Sequence, residues 1–337
     1  MKALVYTGPK SVELREVAEP EAAPGEVMLK MRLCGVCGTD IGIFGGTHPR
    51  AVAPLIMGHE FVGEIVGESS RFAKGQRVVA YPLISCGDCH PCRTGQPHVC
   101  AKLRLIGIDG AGAMTEYVAV AENVLFPVPE DMDDRIAALV EPLAVAVRVV
   151  EQSGMSISDR VVVLGAGPIG LLTAIVARHA GAERILISDI DPARLKLAAD
   201  LGFTAINVGK EDLDQWVMTV TDGDGADVVF ECSGAPVAAL DMTRIARPGA
   251  TICLASMHKQ SNPVALLDIA FKELSVIGSR VYTREQFGRS IELAQVLAEP
   301  LQRLITLTLP LSAAGDVFNI IQDPARNDVK ILIDCTE

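Results

Sequence analysis

Positive charge is in short supply in this chain. Its 30 Lys and Arg stand against 42 Asp and Glu, a formal net charge of −12 over 337 residues. That deficit excludes the electrostatic footprint of a protein that binds nucleic acid or an anionic membrane surface. A membrane span is also missing. The longest uncharged stretch, residues 161–177, falls short of the roughly 20 residues a span needs, and Gly165, Gly167, Pro168 and Gly170 interrupt it. A buried strand running into a buried helix accounts for it better. There is no short-period repeat and no low-complexity tract. Residues 1–6 read at once as a strand, without the pattern of a signal or transit peptide. The expectation is a cytoplasmic protein with a small-molecule partner.

Against these absences the nine cysteines stand out. Cys86, Cys89, Cys92 and Cys100 are spaced C-x2-C-x2-C-x7-C in a polar loop rich in turn formers. Four thiolates on one short loop wrap a tetrahedral Zn2+ with no other ligand. A closed shell of sulfur leaves no open position, so such a metal shapes the loop rather than reacting. Disulfides or free thiols are the alternatives, and disulfides suit an oxidising compartment. In a reducing cytosol Cys232, Cys253 and Cys335 read as buried thiols.

The length suggests about two domains. Residues up to about 145 read as short strands broken by Gly and Pro, such as 27–33 and 61–66, which predicts an antiparallel, barrel-like region. The rhythm changes near residue 148. Strand runs at 161–164, 184–189, 227–230 and 251–254 alternate with helical stretches, one reaching about residue 180 and another over 192–201. This alternation predicts a parallel sheet covered on both faces. The expected fold class is therefore α/β plus β. The expected boundaries are 1–147, 148–284 and a terminal segment 285–337, whose last strand, 330–334, rejoins the first domain.

Gly165, Gly167 and Gly170, with Pro168 and Ile169 between them, fit G-x-G-x-x-G after a hydrophobic strand and before a helix. Asp189 ends the next strand about 20 residues on. The glycines let the backbone turn and approach a pyrophosphate, and the helix N-terminus presents unpaired N–H groups to it. Asp189 suits the ribose hydroxyls and disfavours a 2′-phosphate, so NAD is expected over NADP. Arg194 reads either as a contact at the adenosine end or as a surface helix arginine.

A second cluster comprises Cys34, Cys37, Thr39 and Asp40 with His59 and Glu60. Thiolate, imidazole and carboxylate together suit a zinc that keeps one position open. Singly, each has an ordinary explanation: a redox pair for Cys34 and Cys37, a core histidine, a surface carboxylate.

The chain resembles the zinc-dependent medium-chain alcohol dehydrogenases, and within them the polyol (sorbitol) and threonine dehydrogenase branch. The resemblance is carried by Cys37-Gly38-Thr39-Asp40, the segment 58–63, the loop 86–100, Glu141-Pro142-Leu143, the segment 165–170 and the segment 230–234. It implies a GroES-like β-barrel catalytic domain beside a Rossmann doubly wound sheet, and a homo-oligomer, dimer or tetramer. It also implies that Cys37, His59 and Glu60 hold a catalytic zinc, with Glu141 bound directly or through water. Asp40 would orient His59, and Cys34 would be structural.

Many relatives carry a histidine where this chain has Gly42, which leaves the proton route beyond Thr39 open. His48 is a nearby substitute or an ordinary loop histidine. Ser279 or Arg280, and more weakly Glu116 and Tyr117, are candidates to line the pocket. The expected reaction is oxidation of a secondary hydroxyl of a polyol or sugar derivative, with Thr39 taking the proton and NAD the hydride. The alternatives are an L-threonine 3-dehydrogenase-like enzyme, a zinc- and nucleotide-binding protein without turnover, or a thiol redox protein.

Overall fold

The run Glu26–Gly35 alternates buried and less buried side chains through most of its length, the period of a strand with one face in a core. The computed structural model describes residues 1–323, 326 and 328–337. It divides into two compact units, Met1–Glu141 with Thr283–Glu337, and Pro142–Tyr282.

The first unit opens with β1 (Lys2–Gly8), β2 (Ser11–Glu16), β3 (Glu26–Gly35), α1 (Gly38–Phe44), β4 (Leu55–Ile56), β5 (Glu60–Ile65) and β6 (Arg77–Ala80). It continues through β7 (Leu83–Ile84), α2 (His90–Arg93), β8 (Arg104–Leu105), β9 (Tyr117–Ala121), β10 (Leu125–Pro127) and α3 (Asp134–Ala137). β3 pairs antiparallel with both β5 and β9, β5 with β6, and β6 with β10. Strand β5 is buried at nearly every position, and Gly63 lets it lie close to β3, since a Cβ there would come within 3.2 Å of the Lys30 carbonyl. This places Glu60, the first residue of β5, opposite Gly35 at the end of β3.

Helix α4 (Val140–Ser153) leads into the second unit. There β11 (Arg160–Leu164), α5 (Pro168–His179), β12 (Arg184–Asp189), α6 (Pro192–Asp200), β13 (Thr204–Asn207), α7 (Leu213–Val220), β14 (Ala226–Glu231), α8 (Pro236–Ile245), β15 (Ala246–Leu254), α9 (Leu266–Phe271) and β16 (Ser275–Gly278) alternate. Every pairing is parallel, and the order is β13-β12-β11-β14-β15-β16. The valine run of β11 is buried on both faces, as a central parallel strand requires. Proline opens α5, α6 and α8, where its missing N–H is no loss. No helix among the described residues is long and apolar enough to cross a membrane. The expected α/β plus β class is borne out. Strands β13 and β16 were missed in the sequence because both are short and mostly not fully buried.

The chain then forms α10 (Arg284–Val296), α11 (Ala298–Leu304), β17 (Ile305–Pro310), α12 (Val317–Gln322) and β18 (Lys330–Asp334). Thr283 and Gln286 form a reciprocal capping box that starts α10. β18 pairs antiparallel with β3 and parallel with β17, so the terminal segment completes the sheet of the first unit. Phe318 on α12 stacks on Phe44 at the end of α1, with ring centroids 4.4 Å apart. This fixes α1, and with it the residues around Cys37. Phe318→Ala is expected to cost about 3–5 kcal/mol in urea unfolding, and a loss below about 1 kcal/mol would show that the stack is not a structural tie.

Candidate active site

The four loop cysteines converge. Their sulfurs lie 3.4 Å (Cys89–Cys92), 3.5 Å (Cys86–Cys100), 3.7 Å (Cys89–Cys100) and 3.9 Å (Cys86–Cys92) apart. Sulfurs each about 2.3 Å from one zinc stand about 3.8 Å apart at the corners of a tetrahedron. Backbone N–H groups of Cys86 and Lys102 point at the Cys100 sulfur, 3.4 and 3.3 Å away, and favour its thiolate form. The donor set, spacing and hydrogen bonding fit a structural zinc.

The second cluster sits where β3, α1 and β5 meet. Cys37 is the N-cap of α1, His59 directly precedes β5, and Glu60 opens it. One ligand atom from each of Cys37, His59 and Glu60 lies within 4.8 Å of the others. His59 and Glu60 are buried. Asp40 ties the set together: its Oδ2 accepts from Cys37 N at 2.9 Å, and its Oδ1 faces His59 Nδ1 at 4.0 Å. Both Asp40 Oδ1 and His59 Nδ1 are buried with no hydrogen-bond partner. Burial works to lower the His59 pKa, yet Cys37, Asp40 and Glu141 raise it well above the usual imidazole value. Burial pushes the Asp40 carboxyl up, against the pull of His59 and the Cys37 N–H. A dense anionic donor set of sulfur, nitrogen and oxygen fits a divalent cation such as Zn2+.

Lys330, the first residue of β18, was not a site candidate in the sequence. Its Nζ donates to Glu60 Oε2 and to the Val36 carbonyl at 3.1 Å, and its side chain is only 3% exposed. Burial alone would lower the lysine pKa, but Glu60 and Cys37 raise it. Gly35 makes this meeting possible, since a Cβ there would fall 2.3 Å from Glu60 Oε2 and 3.1 Å from Lys330 Cε. The one signal in the sequence is a lysine opening a strand whose next three residues, 331–333, are apolar.

Other candidates fall into place around the cluster. Glu141 is buried in the first turn of α4 and acts on His59 electrostatically, but it lies outside the compact three-residue set. Thr39 is half-buried in the first turn of α1, beside Cys37 in sequence. Cys34 is fully buried, packed where a Cβ on Gly58 would be. His48 organises its own loop, with Nδ1 accepting from Arg50 N at 3.4 Å and Ala51 N at 3.2 Å. Glu116 accepts from Lys2 N, and Tyr117 pairs with Lys30 in the sheet.

In the second unit the glycine turn divides its tasks. Gly165, at φ +105°, lies against Ser233, and a Cβ would come within 3.0 Å of it. Gly170 packs on the Gly165 carbonyl, where a Cβ would be 1.9 Å away. Gly167 is the N-cap of α5, and a Cβ on it would meet only Arg194 Nη1, at 4.0 Å, so this is the open position of the turn. Pro168 and Ile169 follow in the first turn of α5 and are partly exposed. Asp189 already holds backbone: Oδ2 accepts from Ala166 N at 2.7 Å, and Oδ1 from Ile190 N at 2.7 Å and Asp191 N at 3.0 Å. A carboxylate has about four acceptor positions, so three bonds leave room for a ribose hydroxyl. Arg194 Nε and Ser279 Oγ are buried without a hydrogen-bond partner, while Arg280 is exposed.

Comparison with known proteins agrees with this geometry. The family model of the alcohol dehydrogenase GroES-like domain matches residues 23–130, and that of the zinc-binding dehydrogenases matches residues 168–296. The chain is 36% identical to 2-dehydro-3-deoxy-L-galactonate 5-dehydrogenase of Pseudoalteromonas atlantica, over 99% of each chain. It is 35% identical to L-threonine 3-dehydrogenase of Bacillus subtilis, over 96% of this chain and 95% of that one. A crystal structure of a zinc-binding dehydrogenase from Sinorhizobium meliloti bound to NADP matches with a TM-score of 0.93 at 32% identity, over 99% of this chain and 98% of that one.

The Glu60–Lys330 pair yields a direct prediction. Lys330→Met leaves a buried carboxylate without its cation, which costs about 3–5 kcal/mol. Urea unfolding should show that loss in protein stripped by a chelator and a smaller loss in zinc-replete protein. Equal stability of variant and parent after stripping would contradict the pairing.

Proposed function

The chain belongs to the zinc-dependent medium-chain alcohol dehydrogenase superfamily, and from that premise we propose that it oxidises a secondary hydroxyl of a polyol or sugar derivative to a ketone, with NAD as acceptor. The observation that carries this reading is the convergence of Cys37, His59 and Glu60. When bound, zinc polarises a substrate oxygen and the nicotinamide receives hydride. The residues supply placement. Cys37, His59 and Glu60 hold the metal, with Glu141 adding negative charge beside His59. Asp40 fixes the Cys37 backbone and faces His59, as a partner behind a metal-binding imidazole does. Thr39 takes the hydroxyl proton. The turn through Gly165, Gly167 and Gly170 and the N-terminus of α5 receive the pyrophosphate, and Ser279 adds a polar contact.

A sugar-derived substrate is supported by the relative from P. atlantica, whose name is that of a sugar-acid dehydrogenase. A second reading, oxidation of L-threonine, is favoured by the B. subtilis relative. Self-association is supported by the outer edge of β16, which pairs with no strand among the described residues. Nearby, Leu266, Leu267 and Phe271 are 73%, 68% and 84% exposed. Backbone groups on such an edge are a template for a second copy of the chain. A cytoplasmic location is supported by nine cysteines without a disulfide.

The assay that tests the reaction is NAD reduction over a panel of polyols, sugar alcohols, sugar acids and L-threonine. Turnover of a secondary hydroxyl on a polyol or sugar derivative, abolished by a chelator and restored by zinc, is the expected result. Turnover confined to simple primary alcohols would contradict it, and L-threonine as the sole substrate would favour the second reading. The acceptor is tested separately. Asp189→Ala should raise the Michaelis constant for NAD by about tenfold or more, a loss of about 1.4 kcal/mol, and that for NADP far less. Equal effects on both would refute the ribose contact.

A further inference from the structure

Glu231 ends β14, and its carboxylate is fully buried. Oε1 accepts from Ser233 N at 2.9 Å, Ser233 Oγ at 2.6 Å and Gly234 N at 2.9 Å. Oε2 accepts from Ser256 Oγ and from His258 Nε2 at 3.0 Å. The Glu231 backbone carbonyl accepts from Ala255 N at 2.9 Å and Ser256 N at 3.1 Å. His258 Nδ1 lies 2.8 Å from Asn262 Nδ2. A carboxylate only accepts, so His258 Nε2 is the donor in this pair. One buried carboxylate therefore ties the turn after β14 to the loop after β15. His258, 21% exposed, is the part of the tie that reaches solvent.

The place of the tie in the sheet gives it a task. Strand order reverses between β11 and β14, and in such sheets a dinucleotide lies across the reversal at the carboxyl ends of the strands. The half built on β11, β12 and β13 carries the glycine turn and Asp189. The half built on β14, β15 and β16 is left for the second nucleoside. β14 ends on Glu231, β15 is followed by the loop bearing Ser256 and His258, and β16 is followed by Ser279, whose buried Oγ has no hydrogen-bond partner. Ser233, held by Glu231, is also the residue against which Gly165 packs. The tie thus joins both sides of the reversal point.

We infer that Glu231 and His258 are positioning residues for the nicotinamide half of the cofactor. They hold the 233–234 turn and the 255–262 loop in the shape that receives the nicotinamide ribose. This rests on the dehydrogenase reading above, and the test separates the two. Binding of NADH and of AMP to zinc-replete protein is measured by fluorescence and calorimetry, with no turnover required. His258→Leu should raise the NADH dissociation constant by about tenfold or more while AMP binding stays within about twofold, because AMP fills only the first half. His258→Gln, which keeps a donor for Glu231, should recover most of the NADH affinity. Glu231→Gln should follow His258→Leu if it folds. Unchanged NADH binding in His258→Leu, an equal loss for AMP, or failure of Gln to rescue would overturn the positioning role alone. Absence of NADH binding by the parent protein would overturn the dehydrogenase reading and this inference with it.

Discussion

Glu60 and Lys330 are 2% and 3% exposed, and neither charge reaches water. A buried carboxylate must be answered by a cation: the lysine ammonium is one, and a metal ion held beside Cys37 and His59 would be a second. Much of the first unit serves that balance. The antiparallel register of β3 with β5 sets Glu60 opposite Gly35, and the register of β18 with β3 brings Lys330 to the same spot. Asp40 spans the gap between Cys37 and His59, and the Phe44–Phe318 stack fixes the helix that carries Asp40. Sheet register, helix capping and aromatic packing act on a few side chains whose charges would otherwise repel.

The second unit solves a different problem with the same materials. A phosphate needs backbone N–H groups at close range: Gly165 and Gly170 let the turn close where a side chain would collide with the protein itself, and Gly167 leaves the approach to the backbone open. The carboxylates at the strand ends then do double duty. Asp189 braces the turn after β12 against the glycine turn, and Glu231 braces the turn after β14 against the loop after β15. Each is a local anchor placed where a polar ligand would lie.

Legibility in the sequence followed the distance between partners. The cysteines at 86–100 and the glycines at 165–170 could be read because each set acts within a few residues of itself. Cys37, His59 and Glu60 were suggestive as residue types, but each had an ordinary explanation, and it took the family resemblance to assemble them. Lys330 stands 270 residues from Glu60. Its role depends on which strand β18 joins and in what register, which no periodicity encodes. His258 escaped for the same reason, since only the parallel register of β14 with β15 brings it to Glu231. Strands β13 and β16 were invisible because their burial patterns are not those of core strands.

The central claim is a divalent ion bound by Cys37, His59 and Glu60, distinct from the one in the four-cysteine loop. Anomalous diffraction at the zinc edge from crystals of the protein tests it most directly. The account predicts two peaks per chain, one among the sulfurs of Cys86, Cys89, Cys92 and Cys100 and one about 2.0–2.3 Å from the Cys37 sulfur and a His59 ring nitrogen. A single peak in the cysteine loop, from crystals of protein that turns over substrate, would contradict it.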